Sequence, residues 1–190
     1  FAMYDDVDIP EPVTMWDDHA KRADVVQAMR MRLMDLDPVV DLKATVPPGL
    51  REDEEVRWRY QRYIKDYLRV VASIDDNVGR LLDHLDAEGL TENTVVIYTS
   101  DQGFFLGDHG WFDKRFMYEE SIRMPFLVRY PTAIKPGSVN DAMILNVDFA
   151  PTFLEFAGLT TPAEVQGRSI KSLLSGQTPA NWRKSWYYRY

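Results

Sequence analysis

The segment from Asp53 to Glu88 repeats apolar residues at intervals of three and four, and charged residues fill most of the other positions. This periodicity is that of one face of an α-helix, so the segment is predicted to form a long amphipathic helix packed on a sheet or another layer. Gly89 comes directly after the pattern and is predicted to cap the end of the helix. The apolar face comprises Val56, Tyr60, Tyr63, Ile64, Tyr67, Val71, Ile74, Val78, Leu81, Leu82 and Leu85.

A short β-branched run, Val95-Val96-Ile97-Tyr98, follows this helix and predicts a buried parallel strand over residues 94–99. The order of helix, strand, loop, strand and helix predicts an α/β fold that contains part of a largely parallel sheet flanked by helices. The further predicted elements are a helical turn at 118–123, strands at 125–130 and 143–145, a helix capped by Asp148 and ended by Gly158, and a helix from Ser169 to Leu174.

The predicted organisation divides the chain at residue 50. Residues 1–50 are spaced by prolines and are predicted to be rich in loops, with one short helix around Asp17–Arg30. Residues 51–190 are predicted to form the C-terminal part of a larger domain. The chain is expected to be truncated at both ends, because it begins without Met and stops in the aromatic, strand-like run from Ser185 to Tyr190.

Composition excludes several classes of protein. A formal net charge of −8 and the lack of a Lys/Arg tract argue against nucleic acid as a partner. The absence of cysteine excludes disulfides, Cys-ligated zinc and thiol catalysis within this chain. No apolar run approaches the roughly 18 residues of a membrane-spanning helix. Oligomeric state and compartment are left open by these observations.

A carboxylate and an amide follow the predicted strand, at Asp101 and Gln102, and Gly103 comes next. Open α/β sheets bind ligands at the carboxyl ends of their strands, and paired hard oxygen atoms suit a divalent metal. From Asp101 alone, a simple turn residue is the more common interpretation. Gln102 favours the metal, since it adds a neutral oxygen ligand, and Gly103 is expected to let the chain turn so that both side chains reach one ion.

The loop that follows brings an imidazole, His109, and an ammonium, Lys114, to the same region. Lys114 is either a solvated loop charge or a cation that stabilises negative charge on an ester oxygen. His109 is either a general acid for the leaving group or a hydrogen-bonding support inside a glycine-rich loop. The neighbouring aromatic residues Phe104, Phe105, Trp111 and Phe112 are expected to form the apolar floor of the loop.

The run from Ser100 to Pro125 resembles the second signature region of the type I sulfatases. It includes Gly107-Asp108-His109-Gly110 and Lys114-Arg115. These enzymes belong to the alkaline phosphatase superfamily. The resemblance extends over roughly residues 55–190 and is nearest to sulfatases of glycosaminoglycan and mucin sugars, including N-acetylglucosamine-6-sulfatases. Supporting segments are Ser73–Arg80, Val147–Thr152 and Gln166–Ser169.

The resemblance implies an alkaline phosphatase-like fold and a Ca²⁺ ion held by Asp101, Gln102 and two acidic residues outside this chain. Many family members have Asn or His where this chain has Gln102. The resemblance also implies that Lys114 contacts the sulfate group, with His109 towards the substrate on the leaving-group side. It further suggests an exported, periplasmic or extracellular protein.

The nucleophile of the family is a formylglycine made from Cys or Ser in a C/S-x-P/A-x-R motif. This chain has no cysteine, and Ser185 with Arg189 has Tyr187 at the Pro/Ala position, so the motif is absent. The expected activity is hydrolysis of sulfate monoesters on a sugar or aryl alcohol, completed by a missing N-terminal half, with this chain inactive alone. The alternatives are a phosphomonoester or phosphonate hydrolase of the same superfamily and a non-catalytic binder of sulfated glycans.

Overall fold

The computed structural model describes residues 2–189 and contains five α-helices and two strands in that range. No helix in this range combines the length and apolarity needed to cross a membrane. The elements are α1 (Asp24–Gln27), α2 (Glu52–Ala87), β1 (Val96–Thr99), α3 (Glu119–Ile122), β2 (Phe126–Arg129), α4 (Phe149–Phe156) and α5 (Lys171–Leu174).

The long helix α2 confirms the prediction from periodicity. Four acidic residues, from Glu52 to Glu55, occupy its first turn, where they interact favourably with the positive end of the helix dipole. Gly89 adopts a left-handed φ of 67°, and the N–H of Leu90 donates to the carbonyl of Leu85 to close the end, as predicted. The predicted packing is incomplete in the second half of the apolar face, because Ile74 and Leu81 are 41% and 52% exposed.

The two strands pair antiparallel, so the expectation of parallel pairing is wrong for them. Val96 lies opposite Arg129, and Thr99 lies opposite Phe126. Parallel neighbours need a crossover connection, usually a full helix, that carries the chain back to the same end of the sheet. Between β1 and β2 the chain forms loops and only the single turn of α3, so it reverses direction and β2 returns beside β1.

Other predicted elements are shorter or absent. The predicted helix at Asp17–Arg30 is reduced to α1, because the carboxylates of Asp17 and Asp18 accept the backbone N–H groups of His19 and Ala20 and so build turns instead of helix. Residues 143–145 and 186–189 form no strand, and Tyr190 lies outside the described residues. The predicted turn at 118–123 is confirmed by α3, and α5 begins two residues after Ser169.

The chain separates into two compact units. The first contains the residues up to Leu81 together with Gln102–Arg123, and the second contains Leu82–Asp101 and the residues from Met124 onward. The predicted domain boundary at residue 50 stays a prediction. The first unit has two buried clusters, of which one comprises Met15, Leu33, Leu36, Leu42, Tyr60 and Ile64 and the other Val26, Met31, Phe105 and Trp111.

The second unit is organised around the buried carboxylate of Asp148, whose predicted role as a helix cap is wrong. Asp148 has αR backbone angles (φ −81°, ψ −14°) rather than the extended ones typical of a cap, and its side chain makes no cap hydrogen bond to α4. The carboxylate instead accepts the N–H groups of Leu145 and Arg168, each at 2.8 Å, and forms a bidentate ion pair with Arg183. Three separate segments of the unit therefore meet at one anion.

Replacing Asp148 with Asn is expected to reduce the free energy of unfolding by about 3 kcal/mol or more. Asp148 has no exposed surface and the side chain of Arg183 is 13% exposed, so the variant leaves a nearly buried guanidinium without its counter-ion. Urea denaturation of the protein that contains this chain measures the loss, with exposed Asp141→Asn as the matched control. A loss no larger than that of the control contradicts this role.

Acid is expected to weaken the same contact. Burial raises the pKa of Asp148, but the hydrogen bonds from Arg183, Arg168 and Leu145 outweigh burial and hold the pKa below its ordinary value of 3.8. A lowered carboxyl pKa stabilises the fold fully above the ordinary value, and the stabilisation is lost as the pH falls through the lowered pKa. The Asp148→Asn variant lacks this contribution to the pH dependence.

Candidate active site

The predicted metal ligands follow β1, which ends at Thr99. The chain bends at Asp101 and Gln102 instead of continuing as a strand, so the two side chains are not held on opposite faces of a sheet. Asp101 is exposed and ends a segment of the second unit, whereas Gln102 is partly buried and begins a segment of the first. Their role as metal ligands stays a prediction.

Gly103 is required for a reason other than the expected turn. Its N–H donates to the carbonyl of Ser121 at 2.9 Å, and a Cβ added at Gly103 would lie 2.1 Å from the carbonyl oxygen of Glu120. Its φ is not among the left-handed values in the chain. The close approach of two backbone segments, rather than a special backbone angle, therefore excludes a side chain at this position.

The loop that carries His109 and Lys114 has an unusual backbone. His109, Asp113 and Phe116 adopt left-handed φ angles of 56°, 71° and 65°, which cost free energy for residues with a side chain. Gly107 has a φ of 99°, and a Cβ there would lie 2.7 Å from the ring of Tyr60. Strained residues concentrated in one loop are typical of functional sites, because the surroundings must hold each one in place.

Two fully buried aromatic side chains, Phe105 and Trp111, lie beneath this loop and confirm the predicted apolar floor. Their rings meet edge to face with centroids 5.2 Å apart. The backbone above them is tied down, since the N–H of Phe105 donates to the carbonyl of Asp113 and that of Gly107 donates to the carbonyl of Trp111. Phe104 stacks on Tyr67 at 6.3 Å.

Lys114 retains a partly exposed ammonium. Its side chain is 37% exposed, and Nζ lies 3.2 Å from Oδ1 of Asp113. The other oxygen of Asp113 lies 3.3 Å from Nε of Arg115. A half-exposed ammonium paired with one neighbouring carboxylate can exchange that partner for an anionic ligand. The assignment of Lys114 to a sulfate group stays a prediction.

His109 is nearly buried and is held at three points. Its side chain is 12% exposed, and Nδ1 lies 3.1 Å from Oδ2 of Asp17. Its backbone N–H donates to Oγ1 of Thr14 at 3.1 Å, and its carbonyl accepts a hydrogen bond from Nε2 of His19 at 2.9 Å. The expected role of a hydrogen-bonded support is therefore met by the contacts, and the role of His109 towards a substrate stays a prediction.

Asp17, Thr14 and His19 were not predicted from the sequence. The hydrogen bond from the His19 backbone N–H, followed by that from the His109 ring, lowers the pKa of Asp17 to about 2. Asp17 is therefore an anion near neutral pH. The run Asp17-Asp18-His19 is a cluster of residues that can take part in chemistry. Its sequence neighbours do not indicate that it contacts His109, which lies 92 residues after Asp17.

The donor chemistry of Asp101 and Gln102 fits a partial metal site. Within residues 2–189, no group of three or more His, Asp or Glu side chains is placed to hold an ion. A hard cation such as Ca²⁺ takes about six to eight oxygen ligands, so this pair can supply only part of a coordination shell. The remaining ligands would come from outside the described residues.

Two family models match the chain. The C-terminal model of N-sulphoglucosamine sulphohydrolase matches residues 107–190, and that of type I phosphodiesterase and nucleotide pyrophosphatase matches residues 49–133. The chain is also 58% identical over 137 residues to an N-acetylglucosamine-6-O-sulfatase from Bacteroides thetaiotaomicron, an alignment that covers 71% of this chain. The chain belongs to the sulfatase family.

Further relatives extend the likeness of this sulfatase chain over nearly its whole length. An arylsulfatase from Clostridium perfringens is 32% identical over 186 residues, which covers 96% of the chain. A solved structure of a protein in complex with its substrate D-glucosamine-2-N,6-O-disulfate superimposes on the whole chain with a TM-score of 0.93 and 39% identity. The predicted alkaline phosphatase-like α/β fold is confirmed by this match.

The sulfatase chain spans only part of each of these proteins. It covers 25% of the Bacteroides relative, 35% of the Clostridium arylsulfatase and 47% of the solved structure. Sulfatases generally use a divalent metal.

Proposed function

We propose that this sulfatase chain contributes metal ligands and a sulfate-binding cation to an enzyme that hydrolyses sulfate monoesters of amino sugars. The observation that carries the proposal is the TM-score of 0.93, over the whole chain, with a protein bound to a disulfated glucosamine. The identity of 58% to an N-acetylglucosamine-6-O-sulfatase favours the 6-O-sulfate of glucosamine derivatives as the ester that is cleaved.

Asp101 and Gln102 would hold Ca²⁺ together with acidic residues from outside the chain. When bound, the ion polarises the sulfate oxygens and lowers the cost of negative charge that develops on them. Asp101 supplies the charge that retains a divalent ion, and the neutral amide of Gln102 adds a ligand without further negative charge beside an anionic substrate. The nucleophile would come from outside the chain, because the C/S-x-P/A-x-R motif is absent from it.

Lys114 would bind a sulfate oxygen with the ammonium that now contacts Asp113 at 3.2 Å. A fixed cation stabilises charge on the sulfate in the transition state without the reorganisation that water would need. His109 would lie on the leaving-group side, where its ring can give a proton to the sugar oxygen as the ester bond breaks. Backbone hydrogen bonds of the loop, from Phe105 to Asp113 and from Gly107 to Trp111, would help to keep both side chains in place.

The activity of the full-length protein that contains this chain is tested on two matched substrates, N-acetylglucosamine 6-sulfate and N-acetylglucosamine 6-phosphate. Release of inorganic sulfate and phosphate is followed by ion chromatography. We expect sulfate release with kcat/KM at least about tenfold above that for phosphate, since each 1.4 kcal/mol of preference is tenfold. Faster phosphate release would replace the proposal with the phosphomonoesterase alternative, and release of neither ion would leave a non-catalytic glycan binder.

A further inference from the structure

The segment at residues 14–19 forms a cradle around His109 within the first unit. It contacts the ring through Asp17, the backbone N–H through Thr14 and the carbonyl through His19. The same segment approaches the loop closely, since a Cβ at Gly110 would lie 2.8 Å from the carbonyl oxygen of Met15. These contacts hold His109 at a φ of 56°, which a residue with a side chain rarely adopts.

The residues of this cradle make further contacts that hold them in place. His19 is 2% exposed, and its ring is stacked on that of Trp111 with centroids 4.6 Å apart and an angle of 5° between the planes. Because a carbonyl oxygen only accepts, the hydrogen bond to His109 fixes the proton of His19 on Nε2. Thr14 donates to Oδ1 of Asp108 at 3.1 Å while it accepts from His109, so its hydroxyl is also fixed.

The contact between Asp17 and His109 determines where the imidazole carries its proton. A carboxylate anion only accepts hydrogen bonds, so Nδ1 of His109 must be the donor across the 3.1 Å contact. Nε2 then faces away from Asp17. Oε1 of Glu120 lies 3.9 Å from Nε2, which is too long for a hydrogen bond, so this carboxylate does not occupy Nε2.

We propose that Asp17 is a positioning residue that keeps the Nδ1 proton of His109 in place and so directs Nε2 to the leaving-group oxygen of the sulfate ester. This role rests on the proposed function. In the step concerned, the S–O bond to the sugar breaks and its electron pair remains on the sugar oxygen. The Nε2 proton of the imidazolium moves to that oxygen, the ring becomes neutral, and the sulfuryl group passes to a deprotonated hydroxyl oxygen, the nucleophile supplied by the rest of the enzyme. A carboxylate on Nδ1 stabilises the imidazolium before the transfer and orients the ring throughout.

Asp17→Asn in the full-length protein tests the role with little change in shape. The variant keeps a side-chain oxygen for the His19 N–H but can offer an NH₂ group to Nδ1, which favours the wrong tautomer. We expect kcat on the sugar sulfate to fall about ten- to hundredfold with little change in KM. Asp18→Asn is the matched control. The exposed Asp18 accepts a hydrogen bond from the N–H of Ala20, as Asp17 does from that of His19, whereas the His109 ring bonds to Asp17.

Two further readouts separate positioning from mere folding. If Asp17 acts through His109, then adding Asp17→Asn to a His109→Gln variant causes no further loss of kcat. In ¹⁵N-histidine-labelled protein, the His109 ring should be protonated at Nδ1 in the parent and should shift towards the Nε2 tautomer in Asp17→Asn, whether or not the protein is active.

The outcomes are distinct. An active parent with unchanged kcat in Asp17→Asn, or additive losses in the double variant, overturns the positioning role and leaves the sulfatase proposal intact. An unchanged tautomer in Asp17→Asn also overturns it. A parent protein that releases no sulfate overturns the proposed function itself.

Discussion

Replacing Lys114 with Ala in the full-length protein is expected to lower kcat/KM for sulfate esters, the proposed substrates, by on the order of a hundredfold or more. An ammonium that contacts the sulfate in the ground state helps binding, and it helps more as negative charge shifts in the transition state. A hundredfold loss is the scale of removing one preorganised electrostatic donor, about 2.7 kcal/mol. Because the side chain is 37% exposed, thermal stability should change little.

Three variants separate this role from that of an ordinary surface charge. Lys135→Ala removes another exposed loop lysine and should leave kcat/KM unchanged. Lys114→Arg keeps the charge but replaces a compact ammonium with a planar guanidinium, so it should recover only part of the activity. If folded Lys114→Ala retained near-normal kcat/KM, Lys114 would be a solvated loop charge.

Local patterns predicted the long helix α2 well. The period of the apolar residues between Asp53 and Glu88 is a property of neighbouring residues, and α2 lies within one residue of that range at each end. The same holds for Gly89, whose left-handed conformation follows from its place just after the last apolar residue. Periodicity could not show which part of the apolar face is covered, because covering depends on residues distant in the chain.

Long-range pairing could not be predicted. The β-branched composition of β1 indicates a strand but contains no information on the direction of its partner, which the loop and the single turn of α3 determine. Asp148 was assigned to a local cap, whereas two of its three partners, Arg168 and Arg183, lie 20 and 35 residues further along the chain.

Some residues of the candidate site could be proposed from local sequence, and others depend on contacts between distant residues. Asp101, Gln102 and Lys114 could be proposed as site residues because they lie in one contiguous motif, which also carries the resemblance to the sulfatases, and their roles stay predictions. Asp17 could not be identified, since its contact with His109 joins residues 92 positions apart. The requirement for glycine at Gly103 was correct, but its cause, the carbonyl of Glu120, is likewise a tertiary contact.

The central claim, that this chain provides ligands for the metal of a sulfatase, is tested most directly by Asp101→Ala in the full-length protein. Loss of a residue that only supports a metal ligand typically costs about 10- to 100-fold in affinity or activity, so loss of a charged ligand should exceed about a hundredfold. The exposed position of Asp101 predicts that the variant folds normally. Asp141→Ala, an exposed carboxylate elsewhere in the second unit, is the control.

The measurement is the calcium content of the purified, dialysed proteins by mass spectrometry, together with sulfate release from the same samples. The account predicts about one Ca²⁺ per parent and Asp141→Ala molecule, and a folded Asp101→Ala protein that has lost both the ion and the activity. Full calcium content and full sulfate release in Asp101→Ala would contradict it.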